Sequence, residues 1–236
     1  MPPKPSPKTP RKPPIAVLYC AGRRGSLDEA FYRWVLRGRR VQVRSVGGHR
    51  DVVRILGQPP QAGEPPNRAG VVDRDAWPHD VLVRQSVTVE VLPYFEVESY
   101  LVHPELLAPA MRVRGRDVSA HELIDQLLEA ARATYMPAIN AHLSHAPKAK
   151  GRGRLEQMAQ QYADQLRKAD AIIESGNVDA LLRYFPGRRL AQRMAKELDF
   201  LNAQHLLDSI LQAPDLRNHC RPIKDLREAL MLRLGV

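Results

Sequence analysis

The chain has 236 residues, 44% of them apolar, enough to bury the core of one large domain or of one domain with an appendage. Its 36 Lys and Arg against 26 Asp and Glu give a formal charge of +10, which favours a polyanionic partner, nucleic acid first. The two cysteines, Cys20 and Cys220, exclude a disulfide framework, and no apolar run approaches the roughly 20 residues that span a bilayer.

Residues 1–14, MPPKPSPKTPRKPP, are half proline and carry Lys4, Lys8, Arg11 and Lys12 without an acid. That composition predicts an extended, disordered, basic tail, and it lacks the apolar stretch of a secretory signal. Taking those four charges from +10 leaves +6 for the body, so the body is basic in its own right. A reducing cytoplasm fits the cysteine usage. IAVLYC (15–20) reads as a buried strand. AGRRGS follows, and Ser26 with Glu29 three residues on makes a capping box for a helix whose apolar face is Leu27, Ala30, Phe31, Trp34 and Val35. VQVRSV (41–46) alternates like a strand, HRDVVRILG reads as a short helix stopped by Gly57, and QPPQAGEPPN is a loop. AGVVD (69–73) and VTVEVLP (87–93) are further strands. This order predicts an α/β fold with a parallel or mixed sheet and helices on its faces.

After residue 95 the pattern turns helical. VESYLVHPELL is a short helix followed by a second one restarting at Pro104. Residues 119–145 are helical with a break near Pro137, and KAKGRGR (148–154) is a basic connector. Leu155, Met158, Tyr162, Leu166, Ala169 and Ile173 keep helical spacing up to Gly176. Asn177 caps the next helix, and Pro186-Gly187 open another. The expected organisation is the tail over 1–14, an α/β core over 15–115, and a helical region over 116–236 packed on or inserted into that core.

AGVVDRDAWP ends an apolar run with Asp73 and Asp75, one residue apart. In an α/β sheet ligands gather at the carboxyl ends of the strands. Alternate residues there can point the same way, so two carboxylates can share a hard cation such as Mg²⁺. His142 and His145 have metal-compatible spacing but no evident third ligand, which makes them surface histidines. Tyr94 and Phe95 read as core, and Trp77 as a residue that packs to close its loop.

Four stretches together resemble the TOPRIM nucleases of the overcoming-lysogenization-defect group and the related DUF4435 proteins. They are IAVLYCAGRRGSLDEAFYRWV, GVVDRD, YFEVESYLVHPELL and YFPGRRLAQRMAKEL. They cover most of residues 15–200, and GVVDRD followed about 25 residues later by ESYL is the most specific part. The resemblance implies a TOPRIM-like mixed or parallel sheet followed by a helical region, and a Mg²⁺- or Mn²⁺-dependent hydrolysis of DNA or RNA. It places Asp73, Asp75, Glu98 and Arg188 as catalytic residues and Asp28, Asp73, Asp75 and Glu98 as metal ligands. It also implies an effector of prokaryotic anti-phage defence or of a mobile element, paired with an ABC-type ATPase. No GxxxxGK[ST] occurs here, so that ATPase is a separate chain. A second copy of the chain, in a homodimer, is a further partner.

The departures from the family pattern are specific. Ala21 stands where the family has a glutamate, and two extra residues separate Gly22 from Asp28. The adjacent Glu29 can substitute or simply cap its helix. Arg188 replaces a lysine, and Ser99 an asparagine. Acid–base assistance is typically worth about 10²–10⁴-fold, so Ala21 opens an alternative, a degenerate TOPRIM fold that binds nucleic acid or a partner without cutting. For nucleic-acid contact the sequence offers three basic runs: Arg37, Arg39 and Arg40; Arg112, Arg114 and Arg116; and Lys148, Lys150, Arg152 and Arg154.

Overall fold

The computed structural model describes residues 13–75, 88–146 and 153–236, and its sheet is built around the apolar run IAVLYC. Strand β1 (Ala16–Cys20) is buried along its whole length because it has a neighbour on each side. The others are β2 (Val41–Ser45), β3 (Asn67–Val72) and β4 (Val89–Val91), in the order β2-β1-β3-β4. All pair in parallel, with Leu18 opposite Val43 on one side and Ala69 on the other. β4 is shorter than VTVEVLP suggests, and β3 begins earlier and stops one residue before Asp73.

The two faces of the sheet follow the alternation of side chains along a strand. Val17, Tyr19, Val72 and Val89 make a small cluster with Val52 of helix α2 (His49–Leu56). Ala16, Leu18, Cys20, Ala69 and Val71 face the large core with helix α1 (Leu27–Val35). Helices α1 and α2, which link β1 to β2 and β2 to β3, therefore cover opposite faces, and the strand order reverses between β1 and β3. Such a reversal opens a crevice beyond the carboxyl ends of the two strands.

The second half is helical: α3 (Val97–Leu101), α4 (Pro104–Val113), α5 (Ala120–Ala133), α6 (Tyr135–His145), α7 (Arg154–Ser175), α8 (Val178–Tyr184), α9 (Gly187–Glu197), α10 (Ala203–Leu211) and α11 (Arg221–Leu234). It is no separate layer. The large core runs without interruption from Ala16 to Leu234, and α11 lies against β1, β3 and β4. Ser26, Asn177 and Gly176 cap their helices as read from the sequence. The break expected near Pro137 falls instead at Thr134, whose Oγ1 donates to the Ala130 carbonyl at 2.9 Å. Pro137 then sits in the first turn of α6, where a missing N–H costs nothing. The apolar stripe of α7 is buried only toward its end, at Ala169 and Ile173, while Leu155 is 81% exposed. Among the described residues no helix is long and apolar enough to cross a membrane.

Gly70 fixes how closely α2 approaches the sheet. A Cβ there would fall 2.5 Å from Val52 Cγ1 and 2.7 Å from Leu56 Cδ1. Gly70→Ala is expected to destabilise the protein by about 1–3 kcal/mol through overpacking, read as a lowered midpoint in urea; an unchanged midpoint would contradict this packing.

Candidate active site

The first wall of the crevice is the turn after β1. Gly22 has φ +103, a left-handed conformation that suits glycine. Its N–H donates to the Gly47 carbonyl at 2.6 Å, and its own carbonyl accepts the Gly47 N–H at 2.9 Å, which joins the turns after β1 and β2. A Cβ on Gly22 would meet Ser26 Oγ at 2.4 Å and Asp28 Oδ2 at 3.1 Å, so the Asp28 carboxylate lies folded over this turn. Ser26 accepts the Glu29 N–H at 3.4 Å and opens α1. Glu29 is structural: its buried carboxylate accepts the Gly25 N–H at 2.7 Å and the Ser45 hydroxyl at 2.9 Å, and it pairs with Arg33. Burial alone would push Glu29 up, but these donors outweigh it and hold the carboxyl below its usual range.

The second wall is the chain beyond β3. Asp73 follows directly from Val72. Asp75 has φ 47, the left-handed region that Asp tolerates better than most residues, and its N–H donates to the Phe95 carbonyl at 2.7 Å. The alternation expected to aim both acids the same way therefore ends at Asp73. The third wall is α3. Glu96 is its N-cap, and Glu98, in its first turn, is only 5% exposed.

Helix α9 closes the site. Gly187 starts it, and a Cβ there would lie 2.3 Å from Ser99 N and 2.4 Å from Ser99 Oγ. With no side chain in the way, the first turn of α9 rests on α3. The Arg188 N–H then donates to Glu96 Oε1 at 2.6 Å, and its Nε to Glu98 Oε1 at 3.0 Å.

These elements bring Asp28, Asp73, Asp75, Glu98 and Arg188 together, and they add Glu96, which the sequence reading passed over. Its signal was present: Glu96 and Glu98 repeat the one-residue spacing of Asp73 and Asp75. Burial holds Asp73 well above the usual carboxylate range, and the charges of Asp28, Asp75, Glu96 and Glu98 add to that. Asp28 is raised by burial and by Glu98. Asp75 is raised by burial, against the pull of His145 and His49. Burial and the Glu98 charge lift Glu96 to about 7. Asp73 Oδ1 is buried without a hydrogen-bond partner, which costs about 1–3 kcal/mol unless something fills the gap.

The donor set fits a hard divalent cation. All the candidate ligands are carboxylate oxygens, and the orphaned Asp73 oxygen faces other acids. Among the described residues no three carboxylates bring oxygens within 4.8 Å of one another. An ion here would therefore be held by one or two of these carboxylates and would fill its remaining positions with water or phosphate, as Mg²⁺ can.

The basic runs lie elsewhere. Arg40 precedes β2 and donates through Nε to the Pro13 carbonyl at 3.0 Å, ahead of β1. Arg37, Arg39 and Arg40 thus sit at the amino ends of the strands, a strand length of roughly 15 Å from the acids, and do not line the site. Arg114 donates to Ser209 Oγ at 2.7 Å and stacks on Phe200, while Arg116 bonds the Leu198 carbonyl. Arg112 is within 3.8 Å of Asp117. This second run fastens α4 to the segments around α9 and α10. Arg154 opens α7 and is exposed, whereas Lys148, Lys150, Arg152, Trp77, His79 and residues 1–12 of the tail lie outside the described residues. Tyr94 and Phe95 are core, as expected. His142 is no surface histidine: it stacks on Tyr184 with ring centroids 4.1 Å apart, and its Nε2 lies 2.9 Å from the Tyr184 carbonyl.

Compared with protein-family models and with curated proteins, the chain matches none.

The raised Glu96 carboxyl ties stability to pH. A free glutamic acid gives up its proton near 4.5, whereas folded Glu96 keeps its own to about 7. Its contribution is therefore full below about pH 4.5 and lost as pH rises through about 7. Without divalent ions, Glu96→Gln is expected to remove on the order of 2 kcal/mol of that decline, measured by urea unfolding at stepped pH. Identical pH slopes in the two proteins would refute it.

Proposed function

We propose that the chain is a TOPRIM-type, Mg²⁺-dependent nuclease that hydrolyses phosphodiester bonds of DNA or RNA. The observation that carries this reading is the buried, unpartnered Asp73 oxygen among four other carboxylates at the crevice where the strand order reverses. Asp73 and Asp75 would hold a first Mg²⁺ or Mn²⁺, and Asp28 with Glu98 would help a second. When bound, such ions polarise a phosphoryl oxygen and make a bound water a better nucleophile.

The chain's own residues supply the rest. Arg188 is held by Glu98 through Nε, while its side chain is 67% exposed. Its remaining guanidinium N–H groups are free to meet a phosphate, where a fixed donor stabilises developing charge. Glu96, with a carboxyl titrating at about 7, suits proton transfer near neutral pH. One of its oxygens accepts the Arg188 N–H, and the other is the one to give or take a proton. Glu96 thereby fills the acid–base role that Ala21 leaves vacant. The reading extends to an effector in prokaryotic defence or a mobile element, acting with a separate ABC-type ATPase.

Ala21 is the specific observation that favours a second reading, a protein that binds nucleic acid without cutting it. One assay separates the two. Purified protein is incubated with DNA and with RNA, in Mg²⁺, Mn²⁺ or EDTA, beside the double variant Asp73→Ala/Asp75→Ala. Metal-dependent cutting lost in the double variant and reduced about 10²–10³-fold by Arg188→Ala supports the nuclease. Tight binding without cutting, unchanged in the double variant and in Mn²⁺, supports the binding module. If acid–base help alone is deficient, Ala21→Glu is expected to raise the rate by up to about 10²–10⁴-fold.

A further inference from the structure

Away from the acidic crevice, the starts of two helices meet. His103 is the N-cap of α4, and its Nδ1 accepts the Glu105 N–H at 3.2 Å. Cys220 is the N-cap of α11 and is fully buried. Glu105 reaches from the first turn of α4 to accept the Arg221 N–H at 2.9 Å, so its carboxylate spans the gap between the two helices. A ring nitrogen of His103, a carboxylate oxygen of Glu105 and the Cys220 sulfur all lie within 4.8 Å of one another. Behind the imidazole, Asp179 Oδ1 stands 3.9 Å from Nε2 and accepts the Tyr94 hydroxyl. In front is a cleft of about 500 Å³ lined by His103, Glu105, Tyr94, Asp179 and Arg221. Glu105 is exposed to it, which gives an ion a path in.

We propose that His103, Glu105 and Cys220 form a Zn²⁺ site that clips the start of α4 to the start of α11. One imidazole, one thiolate and one carboxylate is a mixed nitrogen, sulfur and oxygen set, which suits borderline Zn²⁺ and not Mg²⁺. Binding breaks the Cys220 S–H bond, forms a sulfur–zinc bond and releases the proton to solvent. The two anionic ligands then neutralise the ion. Burial raises the Cys220 thiol to about 12, with the Ile223 N–H pulling the other way, so the incoming ion has to displace the proton. One contact of the imidazole, the long cap bond or the 3.9 Å approach of Asp179, gives way to the nitrogen–metal bond. Water would complete the four-coordinate shell. Because α11 lies on β1, β3 and β4, the clip would pin the C-terminal helix to the body independently of the acidic site.

The test is a Co²⁺ titration of the full chain, stripped of metal and kept reduced with a phosphine. The expected result is one equivalent of Co²⁺ with a thiolate-to-cobalt charge-transfer band, displaced by Zn²⁺ and untouched by excess Mg²⁺. The band is lost in Cys220→Ser, kept in Cys20→Ser, and weakened at least tenfold in affinity in His103→Gln. Wild-type protein that shows no such band overturns the proposal whatever the variants do. So does a band that vanishes with Cys20→Ser and survives Cys220→Ser, or one that Mg²⁺ displaces.

Discussion

Gly187 sits where a single added carbon would come within 2.3 Å of the Ser99 nitrogen, and the acidic crevice depends on that contact. The approach lets the first turn of α9 deliver two donors to α3, the Arg188 N–H to Glu96 and its guanidinium to Glu98. A helix N-terminus carries partial positive charge, so α9 brings both a dipole and a formal cation to a place crowded with carboxylates. An element from the second half of the chain thus completes a site begun by β1 and β3. The continuous core explains why the geometry holds: α9 packs against α3, α5 and α10, and Leu190, Ala191 and Met194 are fully buried.

Two adjacent residues show what the site asks of the fold. Asp28 and Glu29 share the first turn of α1, yet their carboxyls shift in opposite directions. Both are pushed up by burial. For Glu29 the Gly25 N–H, the Ser45 hydroxyl and Arg33 more than compensate. Asp28 meets Glu98 instead and stays raised. Donors thus outweigh burial at the acid that builds the fold but not at Asp28 or Glu96, and Asp73 keeps one oxygen with no donor at all. A cluster of buried acids whose carboxyls stay raised is costly to stability and receptive to a cation, a combination typical of functional sites.

Much of the fold was legible because its signals are local. Apolar run length marked β1, the period of 3.6 marked α1, and side-chain caps marked Ser26 and Asn177. What failed was non-local. The α5–α6 break moved from Pro137 to Thr134 because proline is harmless in a first helical turn. Asp75 left the strand pattern because its N–H is taken by Phe95, 20 positions along the chain. Each of the three basic runs read as a candidate contact surface, yet the parallel sheet sends Arg37, Arg39 and Arg40 to the end opposite the acids. Arg114 and Arg116 are spent on internal contacts. Glu96 was overlooked because its importance comes from an N–H that lies 92 residues away.

Donor chemistry would keep the two proposed cation sites from competing. The crevice at the strand ends offers carboxylate oxygens, one of them buried and unpartnered among the described residues. The joint between α4 and α11 offers nitrogen and sulfur beside a single carboxylate. A hard ion with a tightly held hydration shell gains little from a thiol, and a borderline ion gains most from it. In a cell that supplies both, each ion would be sorted by ligand type rather than by charge. Charge would draw either of them to the five acids first. On the proposed reading the sorting would also divide the labour: the crevice would carry the chemistry, and the clip would fix the helix that covers the sheet.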